Sequence, residues 1–441
     1  MTIFDEIAEK TSDDQWEEWR MLVFSAKDEI TAFVSTYRRA AKAKYVNWYQ
    51  GSFNFCLRIS FDTGPDAIIR FSGPGHTTFR DEKVQKEVEI IKFLHEKTTI
   101  PIPRLIGWGL TIDSPRGLGP YIISEFAEGV SLCDVLSDPD DQKKVYLNPK
   151  IDMETLDTVF EQIAGFMLQL YQFDFPSIGS ISKDSSNSWL VTGRPLTYTM
   201  NELATTAFYP VDKFATTPFK SSREYFEGLM REHMTHLWTQ RNLAFNQKQA
   251  EERYVARHLF AKLVDKFCVN NGSYKLFCDD FRPQNMLVDP KTLRITAVLD
   301  LEFTNALPSQ FASESPWWLL LVGPDMFLYR GHTMEEFVAQ YEPRLEQFLQ
   351  AMRRVEKANP LLHGERPLSD LMYESWYSKR FWFNFAARKP FDVEVFFKTR
   401  LNDSGADVHS LDTEAHAGLD KFIDVKMKQL RGYLDDCEKI L

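Results

Sequence analysis

Between Leu276 and Phe303 the chain reads LFCDDFRPQNMLVDPKTLRITAVLDLEF: two β-rich runs, NMLVD and RITAVLDLEF, parted by the turn signal Asp289-Pro290-Lys291-Thr292. Runs of that composition on either side of a proline turn are expected to pair as an antiparallel hairpin. Pairing brings Asn285, at the start of one strand, near Asp300, at the end of the other. An amide oxygen and a carboxylate a few ångströms apart suit a hard divalent cation such as Mg²⁺, which takes oxygen ligands and needs only one or two from protein. Asp280 lies on the loop just upstream, free to act as a base. The rest of the chain is organised around this element.

An acid on a loop, an amide five residues on and a second acid closing a hairpin form the set that phosphoryl transfer requires. One carboxylate orients the hydroxyl or accepts its proton, while the amide and the second acid hold metal on nucleotide phosphates. On these residues the segment resembles the catalytic core of the aminoglycoside phosphotransferase (choline kinase-like) family, whose loop reads His-Gly-Asp-x-x-x-x-Asn and whose metal strand ends Asp-x-Glu. Here the loop is Cys278-Asp279-Asp280-Phe281-Arg282-Pro283-Gln284-Asn285 and the strand ends Asp300-Leu301-Glu302-Phe303. The acid and amide positions match, and Cys278 and Asp279 stand where the family has His and Gly.

The resemblance implies Asp280 as the catalytic residue and Asn285 and Asp300 as metal ligands, with Glu302 either a ligand or a neighbour that supports one. It further implies ATP or GTP and Mg²⁺ as cofactors, and transfer of the terminal phosphoryl group to a small-molecule hydroxyl or amine. Two other readings stay open: a nucleotide-binding pseudokinase, and a kinase-fold enzyme of a biosynthetic pathway that uses the cleft for other chemistry.

At 441 residues the chain has room for two or three lobes, each with its own core. Its net charge of −11 disfavours nucleic acid and anionic membrane surfaces as partners. Cys56, Cys133, Cys268, Cys278 and Cys437 are scattered and odd in number, which describes neither a disulfide framework nor a zinc site. The acidic N-terminus lacks the pattern of a signal peptide, and the longest apolar run, Trp317–Val322, is far too short for a membrane span. A reducing, cytoplasmic setting and a small-molecule partner are expected; oligomeric state is not legible.

Along the chain, Trp16, Trp19, Leu22, Val23, Ile30, Phe33 and Val34 recur at helical spacing and predict a helical extension over residues 14–43 that packs on the following lobe. Strands follow from Ala43, with Gly51 and Ser52 in the turn that would cover nucleotide phosphates in a kinase-like fold. Arg70, in the strand Ala67-Ile68-Ile69-Arg70-Phe71, is the candidate phosphate cation. Glu87, on the inward face of a helix over Arg80–Glu96, needs a partner because a carboxylate buried alone is costly, and the resemblance implies Arg70, as in the strand-cation to helix-glutamate pair of the kinase fold. The stretch IPIPRLIGWG (100–109) resembles the family's entry to the next strands, and Glu125, Phe126 and Ala127 stand where backbone groups would read adenine.

Beyond Ser131 the pattern is helical, with amphipathic helices expected over 151–173, 224–268, 334–355, 370–387 and 391–398, and a final helix in the acidic tail from Asn402. Residues 178–203 read as a polar, loop-rich insertion of the kind that longer fungal members of the family carry. The aromatic run WYSKRFWFNF, 376–385, reads as core. The expected fold is a two-lobed, protein kinase-like α+β fold. It has an N-terminal helical extension (1–43), a small antiparallel β-rich N-lobe that binds nucleotide (44–127) and a large helical C-lobe (128–441) holding the catalytic loop and acceptor site.

Overall fold

Along strands β2 (Asn54–Phe61) and β3 (Ala67–Ser72) every second residue, Phe55, Leu57, Ile59, Ala67, Ile69 and Phe71, points to one face and is fully buried. They lie within an antiparallel sheet completed by β1 (Ala43–Gln50), β4 (Leu105–Gly109) and β5 (Tyr121–Glu125), in the order β1-β2-β3-β5-β4. The computed structural model describes residues 3–38, 42–141, 143, 145–360 and 366–440.

The apolar face of this sheet is covered by the N-terminal helices. Trp16, Trp19, Val23, Ile30 and Val34 join the sheet residues in one core. The extension is two helices rather than one, α1 (Glu6–Ser25) and α2 (Lys27–Tyr37), broken at Ala26; residues 39–41 of the expected helix lie outside the described residues. Helix α1 starts earlier than the apolar spacing suggests because Asp5 caps it, accepting the N–H groups of Ile7 and Ala8 at 3.1 Å. Gly73 permits close docking: a Cβ there would lie 2.1 Å from the Trp16 ring. The opposite face of the sheet, with Cys56, Arg58, Ile68 and Arg70, looks into the cleft between the lobes. Helix α3 (Arg80–Lys97) buries Val84, Val88, Ile91 and Leu94, together with Lys83 and Glu87.

The C-lobe is built on the packing of Met153–Tyr171 against Met334–Ala358. Several boundaries differ from those read in the sequence. The 178–203 insertion is not loop but a hairpin, Ser180–Lys183 with Trp189–Gly193, followed by the helix Tyr198–Thr206. Its alternation was hidden among serines. The helical stretch 224–268 divides into Ser222–Thr239, Gln247–Lys262 and Val264–Phe267. The helix over 370–387 splits into Leu368–Tyr377 and Arg380–Ala387, because Lys379 adopts a left-handed backbone with φ 66°. That over 391–398 is the short turn Val393–Phe396 widening into Phe397–Leu401. Trp376, Phe381, Trp382 and Phe383 are core as expected, and the tail ends in Thr413–Ile440. Among the described residues no helix is long and apolar enough to cross a membrane. The arrangement is the two-lobed α+β fold expected, with a small antiparallel sheet and a large helical lobe.

Candidate active site

The hairpin that organises the sequence forms as read. Met286–Val288 pairs antiparallel with Ile295–Val298, and Val130–Ser131 adds a short third strand. Asp289 closes the turn by accepting the N–H groups of Lys291 (2.8 Å) and Thr292 (3.3 Å). Met286, Val288, Ile295 and Val298 are buried and hold the strands on the main hydrophobic core. At the open end Leu299 donates its N–H to the Asn285 carbonyl at 2.8 Å, which sets Asn285 next to the start of Asp300.

The Asn285 amide nitrogen donates to Asp280 twice, to Oδ2 at 2.7 Å and to its carbonyl at 3.0 Å. That commits the nitrogen to the loop and leaves the amide oxygen as the atom to offer a cation. Asp280 is not the free carboxylate the sequence suggested, since Arg282 Nε lies 2.6 Å from its Oδ1. Burial raises the Asp280 carboxyl above its usual range, with Arg282 and Asn285 opposing. Next to it, burial pushes the Cys278 thiol up to about 12, which describes an inert, protonated sulfur.

Arg70 and Glu87 meet as expected, Nη2 to Oε1 at 2.5 Å. Arg70 Nη1 also donates to Asp300 at 3.0 Å and lies 3.9 Å from Glu302. Asp300 has φ 60°, a left-handed backbone that a non-glycine residue adopts only where its surroundings impose it. Burial and then the Glu302 charge push the Asp300 carboxyl up, against Arg70. Burial works the same way on Glu302, but the charges of Lys83 and Arg70 outweigh it and hold Glu302 below its usual range.

Glu302 is the centre of a buried polar network that the sequence analysis missed. Lys83 Nζ forms an ion pair with Glu302 and donates to Asn54 Oδ1 (3.1 Å) and Ser72 Oγ (3.2 Å), while Asn54 Nδ2 donates to Glu302 Oε2 at 3.0 Å. Lys83 and Glu302 are 1% and 4% exposed, so each charge depends on the other. The signal was present: Lys83 precedes Glu87 by one helical turn and so shares its inward face. Glu302 is thus engaged with the N-lobe.

Two cavities flank these residues. One, of about 570 Å³, lies between the lobes and is lined by Gly51, Arg70, Glu87, Asn285 and Asp300, with Glu125, Phe126 and Ala127 along one edge. Ser52 is not among its lining residues; its carbonyl lies 2.7 Å from His76 Nδ1. Of the backbone groups expected to read adenine, two N–H groups are spent inside the fold, Glu125 on the Arg104 carbonyl (2.9 Å) and Phe126 on the Asp66 carbonyl (2.8 Å). The other cavity, of about 760 Å³, holds Asp280 and lies in the C-lobe. Its walls come from distant parts of the chain, including Phe4 and Glu9 from the N-terminus, Glu202, Trp317 and Lys389. The N-terminal contribution left no signal in the sequence. It is fixed by Gln240 and Asn242, whose side-chain amides donate to the carbonyls of Ile3 and Phe4 at 2.8 Å each.

No family model and no curated protein matches the chain. Among solved structures, it is similar to an ethanolamine kinase of Plasmodium vivax, at 12% identity over 89% of this chain and 81% of that one, with a TM-score of 0.43. It is likewise similar to the macrolide 2'-phosphotransferase MphH of Brachybacterium faecium (14%, 89% and 98%, 0.41). A third similar structure is an amicoumacin kinase in complex with AMP-PNP and Ca²⁺ (11%, 87% and 88%, 0.41).

Proposed function

We propose that this chain transfers the terminal phosphoryl group of ATP or GTP to a hydroxyl or amine of a small molecule. The observation that carries this reading is the 2.7 Å hydrogen bond between Asn285 and Asp280. Asn285 belongs to the interlobe cleft and Asp280 to the C-lobe cavity, so the two cavities adjoin at one contact. Transfer of a group between two bound molecules needs such a junction, with the reacting atoms held in line.

In this reading the nucleotide occupies the interlobe cleft. Gly51 allows the β1–β2 turn to approach the phosphates, and Arg70, fixed by Glu87, presents its guanidinium to them. Asp300 and the Asn285 oxygen are the residues that would hold Mg²⁺, since a carboxylate and an amide oxygen make the hard donor set it takes. When bound, the ion supplies positive charge against the phosphate oxygens. Glu302, occupied by Lys83 and Asn54, ties the end of the metal strand to the N-lobe.

Asp280 orients the acceptor. As the acceptor oxygen or nitrogen bonds to the terminal phosphorus, the bond from that phosphorus to the bridging oxygen breaks. The electron pair leaves with the nucleoside diphosphate, and the acceptor proton passes to the Asp280 carboxylate. Glu6, Glu9 and Glu202 on the wall of the second cavity favour an acceptor that carries positive charge.

The test is to incubate the protein with Mg²⁺ and ATP or GTP over a panel of amino alcohols and sugars, and to look for a phosphorylated product by mass spectrometry. Calorimetry of nucleotide binding with and without Mg²⁺ runs beside it. Metal-dependent binding without any product or nucleotide turnover would sink the transfer reading and leave the pseudokinase. No binding at millimolar nucleotide would remove both.

A further inference from the structure

Arg388 sits behind the loop that carries Asp280, between two acids. Its Nε lies 3.2 Å from Asp279 Oδ1. Its Nη1 donates to Glu314 Oε2 at 3.1 Å and its Nη2 to Glu314 Oε1, a two-pronged pairing that needs the planar guanidinium fork. The guanidinium carbon is 4.7 Å from the ring centres of both Phe277 and Phe311. Arg388 is 6% exposed and Glu314 4%, so the cation has little room to move.

Three elements converge here. Arg388 follows the helix Arg380–Ala387, Glu314 follows Ser309–Ala312, and Asp279 is the chain neighbour of Asp280. The loop is gripped on both sides of Cys278, at the Phe277 ring and at the Asp279 carboxylate. A third hold comes from Trp317, whose indole N–H donates to the Asp279 carbonyl at 3.1 Å. Two carboxylates around one buried guanidinium are not in themselves a strong source of stability, because desolvation offsets the attraction. What such a cluster does supply is one fixed geometry. The Arg388 carbonyl in turn accepts the Thr199 hydroxyl at 2.7 Å, joining this anchor to the helix Tyr198–Thr206, which brings Tyr198 and Glu202 to the C-lobe cavity.

We infer that Arg388 is a positioning residue: through Asp279 and Glu314 it fixes the loop 278–285, and so holds Asp280 at the junction of the two cavities. This rests on the phosphotransfer reading for its consequence in turnover, but not for the positioning itself. It also accounts for Asp279, an acid where the resembled loop carries glycine.

The test is hydrogen–deuterium exchange of the full-length protein, read at residues 278–285, for Asp279→Ala, Arg388→Met, the double variant and Arg388→Lys. Loss of this buried ion pair should speed exchange of that loop by roughly tenfold or more in each of the first two. The double variant should be no faster than either single one, since both cut the same tie. Arg388→Lys, which keeps the charge without the fork, should fall between. Turnover should fall further than metal-dependent nucleotide affinity, because Asp280 adjoins the anchored Asp279 while Asn285 is also held by the Leu299 N–H. Loop exchange at the wild-type rate in folded Asp279→Ala overturns the proposal, and that variant decides the matter if Arg388→Met does not fold. Faster loop exchange in a protein whose wild type turns over no acceptor would uphold the positioning and reject the phosphotransfer reading. Wild-type turnover with unchanged exchange would do the reverse.

Discussion

The interlobe cleft and the C-lobe cavity are assembled in opposite ways. In and behind the cleft the central charged residues sit on strands, a helix and the hairpin end, and each has a partner: Arg70 with Glu87 and Asp300, Lys83 with Glu302. The cavity draws its wall from segments around residues 3–9, 198–202, 279–284, 317–329 and 385–392. Some of its acids stand close together without a cation. Burial, and then the like charges of Asp13, Glu6 and Asp5, raise the Glu9 carboxyl, and Glu6 and Glu9 form no ion pair among the described residues. A cleft whose charges are paired with one another is suited to a constant ligand. A cavity with surplus acid is suited to a ligand that brings the missing charge.

The largest effect should come from cutting the paired network. Lys83→Met leaves Glu302 buried beside Asn54 without its nearest cation, and loss of one partner of such a pair costs roughly 3–5 kcal/mol. Urea unfolding of the purified variant measures this, and an unchanged midpoint would break the claim that the cleft is held by paired charge.

Next comes the junction. Asp280→Asn should lower turnover by at least about 10²-fold, the usual worth of a positioned proton acceptor, with nucleotide affinity changed only slightly. Near wild-type kcat would move Asp280 from the chemistry to the support of Asn285.

The cavity side yields a smaller, pH-dependent effect. Burial pushes the Glu202 carboxyl up to about 7, with Lys389 opposing. A carboxyl whose folded pKa is raised contributes stability below its unfolded value, and that contribution is lost as pH rises through about 7. Melting temperature should therefore fall more between pH 5 and pH 8 in wild type than in Glu202→Gln, by about 1–2 °C in a protein of this size. Parallel melting curves would show that the cavity acid is already ionised.

The least effect belongs to Cys278→Ala. A buried thiol pushed up to about 12 takes no part in transfer, so turnover should stay within a few-fold of wild type. Total loss would mean covalent thiol chemistry instead.

The hairpin and the alternating sheet were legible because each follows from a local rule, turn chemistry or strand period; the inward Glu87 was legible from its helical stripe, and its pairing with Arg70 from the resemblance. The break of the extension at Ala26 and of the 370–387 helix at Lys379 was not legible, since neither residue is a usual breaker. Asp280 was read correctly as a loop acid and incorrectly as a free one, because Arg282, two residues on, folds back onto it.

By itself the sequence determined which residues carry charge inward on each element, and so the composition of the cleft: Arg70, Glu87, Asn285 and Asp300 were all readable within single elements or one hairpin. Only the tertiary structure decided that Lys83 and Asn54 take up Glu302, that Arg388 anchors Asp279, and that Phe4 and Glu9 wall the same cavity as Asp280. The physical reason is range. Periodicity and turn chemistry act over a few residues, whereas the contact of Asp279 with Arg388 or the seating of Phe4 by Asn242 joins positions more than a hundred residues apart. Such contacts are selected by the packing of the whole C-lobe rather than by any local pattern.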